Sequence, residues 1–126
     1  MTSMPWKTII PADLPIIETC YMGDLTRADL FDAARTTLAL GKEHGRTLFL
    51  GDCTELTAGP SVFDLYYLAR EISLNNTSRT LKEAVILPNI SAFLENLRFW
   101  ETIGRNRGFM VQIFRERKAA LEWLIK

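Results

Sequence analysis

Residues 48–68, "LFLGDCTELTAGPSVFDLYYL", hold the pattern on which the fold turns. An apolar run through Leu48, Phe49 and Leu50 reaches Gly51, Asp52 and Cys53, then gives way to a stretch rich in Thr, Gly and Pro. That order reads as strand followed by turn. Ser61 with Asp64 three residues on is a capping-box pattern, and Val62, Leu65, Ala69 and Ile72 then recur at helical spacing as a buried stripe. The stretch is therefore a strand delivered by a polar turn into an aromatic-rich helix.

The same alternation continues on either side. Upstream, Trp6–Ile10 and Leu14–Met22 read as strands separated by "PAD", an opening hairpin. "GDLTRADLFDAARTTLALGKEHG" follows as a helix, with Thr26 as N-cap, Asp29 completing a capping box, Leu30, Ala34, Leu38 and Gly41 on one face, and Gly45 as a left-handed C-cap. Downstream, the second helix is expected to end near "NNTS", and "EAVILP" is a short apolar strand of the kind buried on both faces. A third helix from about Ser91 to Arg107 carries Phe93, Leu97, Trp100 and Gly104 on one face. "FMVQIF" is the last strand, and "RERKAALEWLIK" is a closing helix with Ala119, Ala120, Trp123 and Leu124 inward. The order β-β-α-β-α-β-α-β-α predicts an α/β sandwich with a mainly parallel sheet and an antiparallel strand added by the N-terminal hairpin.

Composition bounds the function. The 126 residues suit a single domain over 1–126, with residues 1–5 expected to be flexible. A hydrophobic fraction of 48% with 24% charged is ordinary for a globular chain. Fifteen basic and fifteen acidic residues give no global field for nucleic acid or an anionic membrane. Residues 1–63 nonetheless carry eight acids against five bases, and residues 64–126 seven against ten, the excess including Arg98, Arg105, Arg107, Arg115, Arg117 and Lys118. Solvated helix faces account for this, with an anion or acidic-partner site as the alternative. "MTSMPWKTII" has no basic start followed by a long apolar stretch, and no run reaches the roughly 20 residues of a membrane span, so a cytoplasmic protein is expected. Cys20 and Cys53 then read as buried thiols.

The element order, "GDLT" leading into the first helix, the strand ending in Asp52 and the closing "VQIFRERKAALEWL" together resemble the SpoIIAA-like family of bacterial proteins, from about Trp6 to Leu124. That family is related to the STAS domains of anti-sigma-factor antagonists and is grouped with lipid-binding domains of the Sec14 (CRAL-TRIO) type. In the antagonists, a strand ending in Asp precedes a helix whose first serine is phosphorylated by a partner kinase. Asp52, Thr54 and Leu56 fit this pattern, and Ser61 falls near the acceptor serine. Pro60, Val62 and Phe63 stand where the pattern has an acidic residue, Ser and Gly.

Weighed residue by residue, Ser61 is first a helix cap, second a phosphorylation site for a STAS-type switch, and least a nucleophile, since "AGPSVF" is not a G-x-S-x-G elbow. His44, in the last turn of the first helix, suits the helix dipole. Cys20, Cys53 and His44 have no metal-ligand spacing, there is no phosphate loop, and Asp29 and Asp32 lie on a helix surface. No catalytic residue, metal or cofactor is expected.

The aromatic count exceeds structural need. Phe63, Tyr66 and Tyr67 on the second helix and Phe93, Phe99 and Trp100 on the third are more rings than one small core takes. They are ordinary core and surface, an apolar ligand cleft, or a self-association patch. The leading expectation is a non-enzymatic domain that binds a lipid-like ligand or a protein partner through Phe63, Tyr66, Tyr67, Phe93 and Trp100, with Arg98, Arg105 or Arg107 for an anionic head group and a homodimer as the expected assembly. A Ser61 phospho-switch comes second and an enzyme third.

Overall fold

The structure, a computed structural model, describes residues 4–75, 81–89 and 93–126. Its elements run β1 (Trp6–Ile9), β2 (Ile16–Asp24), α1 (Arg27–His44), β3 (Leu48–Ala58), α2 (Val62–Asn75), β4 (Lys82–Ile86), α3 (Leu94–Asn106), β5 (Met110–Phe114) and α4 (Arg117–Ile125). The five strands form one sheet in the order β1-β2-β3-β4-β5. β1 pairs antiparallel with β2, and every later pair is parallel. This is the α/β architecture and element order that the alternating pattern predicts. The expected flexibility of the first three residues, the end of the second helix in "NNTS" beyond Asn75 and the start of the third at Ser91 lie outside the described residues.

Each strand adds to the sheet beside its predecessor, so α1, α2 and α3 cross on one face and α4 folds back onto the other. The strand alternation sorts residues accordingly. Leu25, Leu30, Phe31, Cys53, Leu56, Leu65, Leu68, Val85, Phe93 and Leu97 belong to the core under α1–α3. Ile16, Leu50, Ala84 and Ile86 meet Ala120 and Leu124 of α4 in a second core. Cys20 and Cys53 thus sit on opposite faces, and both are free thiols.

Local chemistry fixes the boundaries. Thr26 and Asp29 form the reciprocal capping box, each bond 3.1 Å, and Gly45 closes α1 at φ 64°, a left-handed conformation that glycine adopts without strain. Ser61 and Asp64 form the second box, each bond 3.2 Å. At Gly104, a Cβ would meet Val111 Cγ2 at 2.7 Å, so glycine lets α3 lie close on β5. α3 also covers the open edge of β5: Glu101 Oε2 accepts from Ile113 N–H at 2.9 Å, and Arg105 Nε donates to Val111 C=O at 3.0 Å.

Three details differ from the sequence pattern. β3 does not stop at Cys53 but continues to Ala58, because β2 also extends, past register shifts, to pair Met22, Gly23 and Asp24 with Glu55, Leu56 and Ala58. On α1 the buried side is Leu30, Phe31, Ala33, Thr37 and Gly41; Ala34 and Leu38 are only half-buried, because they border a cavity. On α4, Ala119 is exposed rather than inward and Trp123 is half-buried, since a nine-residue helix offers the sheet a narrow stripe centred on Ala120 and Leu124.

Candidate functional site

Two carboxylates within strands, one on each face of the sheet, organise the molecule's buried chemistry. On the face of α4, Glu18 is 4% exposed. Its oxygens accept from both terminal nitrogens of Arg117, at 2.8 and 2.5 Å, the bidentate geometry in which guanidinium best matches carboxylate. Arg117 opens α4, where a cation opposes the helix dipole, so Glu18 rather than the helix accounts for its placement. Arg117 Nη1 also lies 3.9 Å from Asp52 Oδ2. Asp52 Oδ1 accepts from the N–H and hydroxyl of Thr54 at 2.9 and 2.7 Å, which explains the Asp-x-Thr spacing locally. Cys20 completes the cluster, its Sγ 3.6 Å from Glu18 Oε2. Burial, then the nearby Glu18 and Asp52, pushes its thiol up to about 11, so the nucleophilic thiolate is disfavoured.

On the other face, a cavity of about 110 Å³ lies between the sheet and α1–α3. Its walls are apolar: Leu30, Ala34 and Leu38 from α1, Leu65, Leu68 and Ile72 from α2, Phe93, Leu97 and Trp100 at α3, and Phe49, Cys53 and Val85 from the sheet. Glu83 of β4 borders the same space. Its Oε1 accepts from Trp100 Nε1–H at 2.7 Å. Burial pushes the Glu83 carboxyl up to about 7, against the smaller opposing effect of the indole bond. Burial also holds the neighbouring Tyr21 hydroxyl and Cys53 thiol well above their ordinary values, so both are neutral at pH 7.

The residues singled out from sequence divide into two groups. Phe93 and Trp100 line the cavity. Phe63, Tyr66 and Tyr67 stand on the outer face of α2, where Phe63 is 73% exposed and the two tyrosine rings meet edge to face at 5.6 Å. The arginines do not converge: Arg105 is bound at the β5 edge, Arg107 lies over the Tyr66 ring at 5.4 Å, and Arg98 is exposed on α3. Ser61 Oγ accepts the Asp64 N–H as a cap, while Asp64 also lies 3.6 Å from Arg27. Arg27 stacks on Phe31 and Tyr67, and Arg35 forms a two-bond pair with Glu71 at 2.7 and 3.1 Å, so a ladder of arginines ties α1 to α2 above the cavity. His44 is exposed at the end of α1.

Glu18 and Glu83 are not singled out from sequence, and Arg117 enters there only within the basic excess of the second half. The available signal was a carboxylate inside an apolar strand, in "IIETC" and "KEAVIL". Among the described residues, no helix is long and apolar enough to cross a membrane.

No family model matches the chain, and no curated protein matches it. A solved structure does: an uncharacterised protein of the DUF3478 family with a SpoIIAA-like fold, from Shewanella loihica. It is 23% identical over 94% of this chain and 91% of that one, with a TM-score of 0.56. The chain therefore has a SpoIIAA-like fold.

Proposed function

We propose that the protein is a non-enzymatic binding domain that takes a small apolar ligand in the cavity between the sheet and α1–α3. The carrying observation is the cavity itself, apolar on most of its wall and with a carboxylate, Glu83 held by Trp100, at its border. Such a composition is that of a ligand pocket: apolar area supplies affinity and one polar atom fixes orientation. At about 110 Å³ it is somewhat smaller than the apolar cavity of about 150 Å³ that accepts benzene, so the ligand it suits is no larger than a single small ring. A native mass spectrum of protein purified from its own host should carry a small adduct, and heteronuclear NMR should show toluene shifting the Trp100 indole signal. Absence of both would exclude the cavity as a ligand site.

The exposed rings of α2 favour a second, separable role as a partner surface, because large exposed aromatics grouped on one helix mark association sites. Phe63→Ser with Tyr67→Ser should shift sedimentation toward monomer while leaving toluene uptake unchanged, since neither ring borders the cavity. An unchanged sedimentation coefficient would exclude self-association through this face. A phospho-switch at Ser61 has less support: its hydroxyl is engaged as a cap, and a phosphate would stand beside the Asp64 carboxylate. Ser61→Ala should cost about 1 kcal/mol of stability through the lost cap.

A further inference from the structure

The two oxygens of Glu83 are not equivalent. Oε1 receives the Trp100 indole proton at 2.7 Å, whereas Oε2 has no hydrogen-bond donor among the described residues. Gly51, paired with Val85 and two residues on from Phe49, the register partner of Glu83, leaves the space beside Oε2 open: a Cβ placed there would lie 3.5 Å from that oxygen. Lys82, the one lysine bordering the cavity among the described residues, directs its ammonium away, donating to Trp123 C=O at 2.7 Å and lying 4.4 Å from that ring on the α4 face. Among the described residues, Tyr21 and Cys53 are titratable neighbours of Glu83, and neither supplies a positive charge. Among the described residues, the cavity thus contains a carboxylate oxygen with an unused lone-pair site, the hydroxyls of Tyr21 and Thr37 at its wall, and no cation directed into it.

We infer that the cavity selects an uncharged, ring-sized apolar molecule bearing a single hydroxyl or amino donor, which donates to Glu83 Oε2, and that it rejects carboxylates. This rests on the cavity being a ligand site. The physical reason is the asymmetry of polar groups on burial: a ligand that closes over Oε2 takes it from water, so one that supplies a donor gains over an isostere that leaves the acceptor unsatisfied. A ligand carboxylate would instead set a second negative charge against the first in surroundings that screen it poorly. The anionic head group expected from the arginine count therefore has no counterpart inside the cavity.

The test is a matched series measured by calorimetry at pH 8, where Glu83 is largely ionised and acts only as an acceptor: toluene, benzyl alcohol, aniline and benzoate. Benzyl alcohol and aniline should bind at least tenfold tighter than toluene, and benzoate at least tenfold weaker. In Glu83→Met, similar in length and lacking the acceptor, toluene should bind as well as before and the preference for benzyl alcohol should vanish. If toluene binds wild type but the donors gain nothing over it, the selectivity inference is overturned while the cavity stands as an apolar site. If none of the four binds, ligand occupancy of the cavity fails and the selectivity with it. The wild-type series decides the matter even if Glu83→Met does not fold.

Discussion

The two faces of the sheet cover a carboxylate each, one fully and one in part, and treat it in opposite ways. Under α4, Glu18 is closed off by a bidentate guanidinium, and the side chains around it leave almost no surface: Ile16, Ala84 and Ala120 are fully buried. Under α1–α3, Glu83 has one indole N–H and an open space beside its second oxygen. The same backbone alternation supplies both positions, so the difference lies in what covers them. One short helix lays a narrow stripe flat on the sheet, whereas three helices meeting over a twisted sheet leave a gap where Ala34 on α1 and Gly51 on β3 are too small to fill it. A satisfied charge pair in a dense layer is architecture; an acceptor half satisfied at the edge of a cavity is where the proposed ligand would bind.

The comparison breaks most visibly if the Glu18–Arg117 pair is opened. Arg117→Ala leaves a carboxylate with nearly no access to water, and removing one partner of a buried pair is strongly destabilising. Arg117 itself is half exposed, so the expected loss is about 3 kcal/mol, the low end of that effect. Glu18→Leu with Arg117→Met should recover most of it, because apolar replacements of similar size remove both desolvation costs together. Urea unfolding midpoints measure both. A single variant as stable as wild type would show that α4 is held by Ala120 and Leu124 alone.

Glu83 gives the complementary signature, one of pH. Its folded value of about 7 stands above the 4.5 of an ordinary carboxyl, so between these values the folded chain binds more protons than the unfolded chain. Stability is then lost as pH rises through that window: the contribution is complete below about pH 4.5 and gone above about pH 7. At about 1.4 kcal/mol per pKa unit, the fall is roughly 3 kcal/mol. Glu83→Gln should flatten the unfolding free energy over this range. A slope that persists in Glu83→Gln would assign the titration to another group.

Much of this arrangement is legible in the sequence. Periodicity and caps fix the elements, since a Thr26–Asp29 or Ser61–Asp64 box is a local contract between neighbours and needs no tertiary partner. Phe93 and Trp100 follow as cavity residues from the inward stripe of α3. The separation of Phe63, Tyr66 and Tyr67 from that cavity is not legible, because helical spacing tells which rings share a face but not which face another helix covers. Glu18 with Arg117 is harder still: the partners are 99 residues apart, and only the sheet order and the return of α4 bring them together. The extension of β3 to Ala58 escapes for a related reason, as "TELTA" becomes strand through its pairing with Met22–Asp24 rather than through its own apolar pattern.

The smallest expected effect is the sharpest comparison, because one substitution can be made on both faces in the same secondary structure. Ala120, in α4, is fully buried against the dense core, and Ala34, in α1, borders the cavity. Ala and Leu are both good helix formers, so propensity contributes little to either change. Ala120→Leu forces three extra carbons into a layer with no room and should cost about 1–3 kcal/mol. Ala34→Leu places the same carbons in the empty space and should gain about 0.5–1 kcal/mol, as cavity-filling changes commonly do. It should also weaken toluene uptake, since the new side chain and the ligand compete for one volume. A destabilised Ala34→Leu would mean that the gap is already closed by its walls, whereas a stabilised variant that still takes up toluene would locate the ligand elsewhere on the protein.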